Sequence, residues 1–258
     1  MKSVWTGDIG FGLVTIPIKL YSATQKSELN FDMLDQRDHS NIRYKRVNGD
    51  TGKEVPWDNI VKGYELDGKY IVLTDKDFSN ASPEKTKRIE IVEFVEESDI
   101  DSLYFEQPYY TEPAKNGAKP YALFREALLK TKKAGLSTFV LRNKEHLGLI
   151  KVVGNVIVLH QIRFEEEIRS TEDLNIPAKG KIEPGQLKMA SSLIDQMAAD
   201  FDISRYKDTY TEQLLKYIKA RAKGKKPVKP KMKVAHKQSD DLMDQLKESL
   251  KVKRKKTS

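Results

Sequence analysis

Cysteine is absent from this 258-residue chain, which excludes a disulfide scaffold, a zinc ribbon and a thiol nucleophile. Long hydrophobic runs are missing too. No stretch of about 18 apolar residues occurs, so the sequence predicts no membrane span and no membrane partner. The first eight residues, MKSVWTGD, lack the apolar centre and small-residue cleavage site of a secretory signal. Histidine is scarce: His39, His146, His160 and His236 are scattered, none with a His or Cys at ligand spacing, which speaks against zinc. No phosphate-cradling glycine loop and no serine nucleophile motif occurs. Gly7, Gly10 and Gly12 have GxxGxG order but run into a strand instead of opening a helix. The sequence therefore assigns no catalytic residue, no metal ligand and no cofactor, and reads as a binding protein.

What is present is charge, unevenly placed. Of 46 Lys and Arg and 38 Asp and Glu, residues 221–258 hold 14 and 4, a net of +10; residues 1–220 keep 32 and 34, a net of −2. All 22 aromatics lie in the first 220 residues. The body is thus an aromatic-rich folded unit of balanced charge. The tail is basic and has too little apolar material for a core. Nucleic acid suits such a tail better than a membrane, because its cations are not interleaved with Trp, Phe or Leu on one helical face.

Strand signals dominate the body. Phe11 to Tyr21, FGLVTIPIKLY, reads as one long strand with Pro17 at an edge or bulge. Asn41 to Val47 alternates, with Ile42 and Tyr44 opposed to Arg43 and Lys45. Tyr64 to Leu73 is a hairpin, its Asp-Gly pair supplying two positive-φ turn positions. Lys87–Val95, Leu136–Leu141, Leu147–Val153 and Val156–Phe164 add further strands. About ten strands with turns between them predict a mainly β chain with helices, an α+β class, and not a doubly wound fold.

Helical periodicity is confined to a few places. Pro120 opens one segment with Leu123, Phe124, Ala127 and Leu128 at 3.6-residue spacing. Leu187, Ala190, Ile194, Met197 and Phe201 mark a second, and Tyr206, Tyr210, Leu214, Tyr217 and Ile218 a third. Core packing is the expected use of such stripes. From Gly224 to Lys237 the chain is rich in lysine, contains Pro227 and Pro230 and has no acid, so an extended linker is expected. Ser239-Asp240-Asp241 then reads as a helix start, with Leu242, Met243, Leu246 and Leu250 on one face. A helix near 240–250 is too short to be stable alone, and Leu242, Met243 and Leu246 are the candidate partner contact.

Two chemistries remain open. Glu165-Glu166-Glu167 with Asp173 forms an acidic group suited to a solvated loop, to ion pairs, or to a divalent ion in a DNA-processing enzyme. His160 shares its strand face with Val156 and Val158 and is expected to be a hydrogen-bonded core histidine. The other chemistry is basic. Arg43 and Lys45 project from one strand face about 7 Å apart, with Arg46 adjacent and Lys53 in the turn that follows. Arg142 and Lys144 lie at another strand end. With the tail cations Lys225, Lys226, Lys229, Lys231, Lys233, Lys253, Arg254, Lys255 and Lys256, they fit a surface that tracks a duplex by its phosphates. An RNA-binding or architectural protein working through the tail is the third reading.

The segment WTGDIGFGLVTIPIKLY, from Trp5 to Tyr21, resembles the opening of the bacterial Ku proteins. The likeness continues through Ile42-Arg43-Tyr44, Thr51 to Val55, Lys62 to Glu65, Ile89 to Ile91, Phe94-Val95, Ile100-Asp101, Pro108-Tyr109-Tyr110, Tyr121 to Leu123, Arg125 to Leu128 and Leu141-Arg142, and covers about residues 1–222. Ser102 and Thr111 depart from it where proline and leucine are usual.

The resemblance implies a β-barrel core over 1–222, with a DNA-encircling bridge at about 42–73 and helices at about 186–222 that help the chain pair with itself. A basic flexible tail over 223–258 completes the organisation. It further implies a homodimeric ring that threads onto double-stranded DNA ends without sequence preference. The ring recruits an ATP-dependent DNA ligase of the ligase D type for non-homologous end joining, in the cytoplasm at the nucleoid. Lys19 and Lys62, cations inside the resembling segments, join Arg43, Lys45, Arg46, Lys53, Arg142 and Lys144 as candidate DNA contacts. A net of −2 on the body then requires positive charge on the lumen and acid on the outer face.

Overall fold

The computed structural model describes residues 1–81, 87–178, 180, 182–224 and 241–251. They form two compact units. One unites Met1–Lys26 with Asn30–Ser170; the other unites Ser27–Leu29 with the described residues from Thr171 onward.

The first unit contains, in chain order, β1 (Trp5–Phe11), β2 (Val14–Ser22), β3 (Lys62–Leu66), β4 (Lys69–Leu73), α1 (Asp75–Ala81), β5 (Arg88–Glu96), β6 (Phe105–Pro113), α2 (Ala118–Thr131), β7 (Lys133–Leu141), β8 (Lys144–Val153) and β9 (Val156–Ile162). Seven of these strands close into a barrel in the order β1-β2-β6-β9-β8-β7-β5. Every seam is antiparallel except the last, where β1 runs parallel to β5 with Ile9 opposite Ile89. Alternation along the strands sends Ile9, Ile16, Ile18, Leu20, Ile89, Phe139, Ile150, Ile157 and Leu159 into a buried core.

Helix α2 adds Tyr121, Phe124 and Leu128 to that core. Phe124 stacks on Phe11 at 4.8 Å, and Phe94 meets both edge-on. Leu123 and Ala127 of the expected stripe stay outside. The buried polar group at this helix is fully satisfied. The Tyr121 hydroxyl accepts from the Ile157 amide at 2.9 Å and donates to the Thr111 carbonyl, while the Thr111 hydroxyl donates to the Ile157 carbonyl at 2.7 Å. These bonds tie α2 to β6 and β9.

Phe11 to Tyr21 is a hairpin and not a single strand: Phe11 ends β1, Gly12 turns at φ 55°, and Val14 starts β2. A run of apolar residues hides this turn, because Leu13 at its tip is fully exposed. Pro17 lies within β2 just past the last β2–β6 pair, Ile18 with Pro113, and its carbonyl accepts from Ala114. Its missing N–H thus faces the end of the ladder, where no bond is lost. Strand β6 carries no β-branched run and has Pro108 inside it, so its sequence gives no strand signal. Its ladder with β9 is irregular between Phe105 and Pro108.

The glycines of the GxxGxG order have separate structural uses: Gly12 makes the β1–β2 turn, and Gly7 serves barrel closure. A Cβ on Gly7 would sit 2.1 Å from the Lys87 carbonyl oxygen and 2.4 Å from the Trp5 ring. That carbonyl accepts from Asp8 where the parallel seam begins, so it cannot retreat without breaking the seam. Gly7→Ala is expected to destabilise the fold by about 1–3 kcal/mol, read as a lowered urea midpoint.

Between Leu20 and Ile89 no described residue is buried. Here lies the two-stranded β3–β4 sheet, with Asp67 and Gly68 at positive φ in its turn, as the Asp-Gly pair predicts. Asn41 to Val47 is not a strand; only isolated bridges form, Leu34 with Asn41 and Val47 with Glu54. Its alternating pattern has no neighbouring strand to hydrogen-bond, so no ladder builds.

The second unit contains α3 (Pro184–Met197), α4 (Thr209–Ala222) and α5 (Leu242–Lys251). Pro184 opens α3 at its first turn. Asp208 caps α4 by accepting from the Thr211 amide at 3.0 Å, and Asp241 caps α5 by accepting from Met243 at 2.7 Å. Helix α5 packs on α3. Met243, Leu246 and Leu250 are half-buried, as are Met189, Ala190 and Leu193, while Leu242 stays exposed. The apolar stripes differ from the expected core. Leu187, Ile194, Met197, Phe201, Ile203, Tyr206, Tyr210 and Ile218 are all exposed, and Phe201 and Tyr206 lie outside helices. No described residue of this unit is fully buried. No helix among the described residues is long and apolar enough to cross a membrane.

Candidate nucleic-acid interface

All eight candidate cations of the body are exposed, and the structure places them at several sites. Lys45, Arg46 and Lys53 share a small hairpin, closed by the Val55 amide on the Arg46 carbonyl and the Asn48 amide on the Lys53 carbonyl. Its tip is built by the Asn48 side chain, which accepts from the amides of Asp50 and Thr51. The Arg46 guanidinium lies 4.3 Å over the Trp57 ring, which pins a mobile cation by its flat face. Lys45 pairs with Glu54 at 2.7 Å. Arg43 precedes this hairpin without sharing a strand face with Lys45, because no strand forms there. In β3, the Lys62 ammonium lies 4.4 Å over the Phe78 ring of α1.

Arg142 and Lys144 occupy the β7–β8 turn, where Arg142 and Asn143 both have positive φ and Leu141 pairs with Lys144. Lys144 approaches Glu167 at 3.9 Å. Lys19 stands alone on the outside of β2, between Thr6 of β1 and Glu112 of β6. The tail cations Lys225, Lys226, Lys229, Lys231, Lys233, Lys253, Arg254, Lys255 and Lys256 lie outside the described residues, as do Ser239 and Asp240. Sequence reading missed the aromatic seats. Trp57 and Phe78 lie 11 and 16 residues from the cations they support, a spacing with no periodicity to reveal it.

The acidic group is engaged locally. Glu165–Glu167 forms a single 3-10 turn, and the Glu167 carboxylate accepts from the Phe164 amide at 2.9 Å. Among the described residues no three His, Asp or Glu side chains are placed to hold a metal ion.

His160 corrects an expectation. It is half-buried, packs edge-on to Phe105 at 5.3 Å, and has no side-chain hydrogen bond among the described residues. Burial and then the nearby Lys151 cation hold its pKa below the ordinary 6.5, with Glu97 opposing. The unfolded chain therefore takes up this proton first as pH falls, and stability drops as pH goes below about 6.5. His160→Gln is expected to flatten the loss of thermal stability between about pH 7.5 and 5.5, measured by circular dichroism.

At the barrel end opposite α2, a cleft of about 410 Å³ opens between Val4, Ser22, Thr24–Lys26, Gln107, Tyr109, Leu141 and Arg142. The Gln107 amide donates to the Thr24 hydroxyl at 2.9 Å and to the Pro108 carbonyl at 3.2 Å. Burial raises the pKa of Tyr109, with Arg142 opposing and Glu106 adding, so its hydroxyl stays protonated.

Known proteins resemble this chain across most of its length. A family model described as the Ku70/Ku80 beta-barrel domain matches residues 10–189. Proteins named "Non-homologous end joining protein Ku" are similar to it in several bacteria. The one from Coxiella burnetii is 38% identical over 98% of this chain and 96% of its own length. That from Opitutus terrae is 42% identical over 85% and 80%, and that from Bacillus subtilis 39% over 87% and 73%. The family match takes in the end of β1 and the other six barrel strands, and on these findings the chain belongs to the Ku family.

Proposed function

We propose that this chain binds the ends of double-stranded DNA as a homodimeric ring, without reading sequence, and recruits an ATP-dependent DNA ligase of the ligase D type in non-homologous end joining. The observation that carries this reading is identity of 36–42% to proteins bearing that name, over 85–98% of the chain. The proposed role is binding, with no catalytic step of its own.

Physical features support each part. End binding without sequence preference needs contacts to phosphate and sugar, not to base edges. Arg46 on Trp57 and Lys62 on Phe78 hold cations at fixed places in a segment that buries nothing of its own. Such a segment suits the bridge over a duplex, at about residues 42–73. Pairing is supported by the second unit. Its Leu187, Ile194, Met197, Phe201, Tyr206 and Tyr210 are exposed; large apolar side chains open to solvent suit an interface, and a second copy is the occupant the ring requires. For ligase recruitment, Leu242 is open on α5, whereas Met243 and Leu246 face α3. Light scattering at micromolar concentration is expected to give twice the 29.6 kDa chain mass. A solitary particle overturns the ring.

A further inference from the structure

The cleft at the open barrel end has an apolar floor and a cationic rim. Tyr109 and Leu141 pack against the barrel core, and the rim carries Lys26 and Arg142. No carboxylate lines it, and neither cation forms an ion pair among the described residues. The tight β7–β8 turn fixes where Arg142 stands. The Thr24 hydroxyl accepts from Gln107, which leaves its own proton to donate. A cavity of about 410 Å³ lies within the range of small-molecule sites.

We propose that this cleft binds one nucleotide, its base against Tyr109 and Leu141 and its 5′-phosphate on Arg142 and Lys26. An aromatic face accepts any base by stacking, and a guanidinium fork matches a phosphate. An acidic peptide would use the rim and leave the aromatic floor empty, so the nucleotide fits better. Two sources supply this chemistry: a free mononucleotide, or an unpaired terminal nucleotide of a DNA strand. Only the second rests on the end-binding reading.

The test titrates thymidine 5′-monophosphate into the full chain by calorimetry, beside thymidine, inorganic phosphate and a poly-glutamate peptide. The nucleotide is expected to bind at least about tenfold more tightly than each of the other three. Arg142→Asn, which tolerates positive φ, and the exposed Lys26→Ala are each expected to weaken it about tenfold. Inorganic phosphate binding as well as the nucleotide overturns the proposal, as does equal binding of the peptide or no nucleotide binding at millimolar concentration. Competition between the nucleotide and a duplex bearing one unpaired 5′ residue supports the DNA source; nucleotide binding without that competition supports the free one. Blunt-end binding is measured on the same sample. A chain that holds ends but not the nucleotide overturns this inference alone, and a chain that holds neither overturns both.

Discussion

A covalently closed plasmid is expected to compete for this protein about a hundredfold less well than the same plasmid cut once. The two DNAs carry the same phosphates at the same spacing, so any surface that simply neutralises charge binds them alike. A closed protein ring removes that equality, because a duplex enters it only at an end. A hundredfold preference corresponds to about 2.7 kcal/mol, which topology alone supplies when the circle is left with the non-specific electrostatic contacts of the tail. Competition by anisotropy, at equal nucleotide mass and stated salt, measures it. Equal competition by circle and linear form removes the ring from the account and leaves a general polyanion binder.

Ending the chain at Gly224 gives the second large effect. This removes 12 of the 46 basic residues and 4 acids. If the tail displaces about 6 counterions, full-length affinity falls roughly a thousandfold between about 50 and 200 mM salt, and truncation lowers the slope of log affinity on log salt by about 5. End preference is expected to survive, since the barrel and the segment proposed as the bridge lie upstream. A truncated chain that keeps its salt slope but binds circles as well as ends assigns the two roles the wrong way round.

Legibility differed between parts of the molecule for physical reasons. The Tyr64–Leu73 hairpin was readable because its turn chemistry is local: Asp67 and Gly68 are the residues that positive φ favours. The β1–β2 hairpin was not, because its tip, Gly12-Leu13, joins two apolar strands without a polar break. Strand β6 was hidden by Pro108, which a ladder irregularity accommodates. Arg43 and Lys45 alternate as strand residues do, yet without a partner strand the alternation produces no shared face. Arg142 and Lys144 were identified as cations at a strand end. That Arg142 shares a cleft with Lys26 and Tyr109, which are 116 and 33 residues away, required the barrel to be closed.

By itself the sequence determined composition-level and local properties: the charge division at about residue 220, the β-rich body, the Asp67-Gly68 turn, the helix start at about Asp241, and the likeness to one family. Each depends on residues near one another along the chain. Tertiary structure alone decided which strands meet, that Gly7 is small because a carbonyl from β5's approach passes 2.1 Å from where a Cβ would stand, and which aromatic seats which cation. It also decided that, among the described residues, Leu187, Ile194, Met197, Tyr210 and Ile218 of the second unit's helices are exposed instead of packed in a core. Those outcomes depend on contacts between distant residues, and a one-residue change of register moves every side chain to the other face.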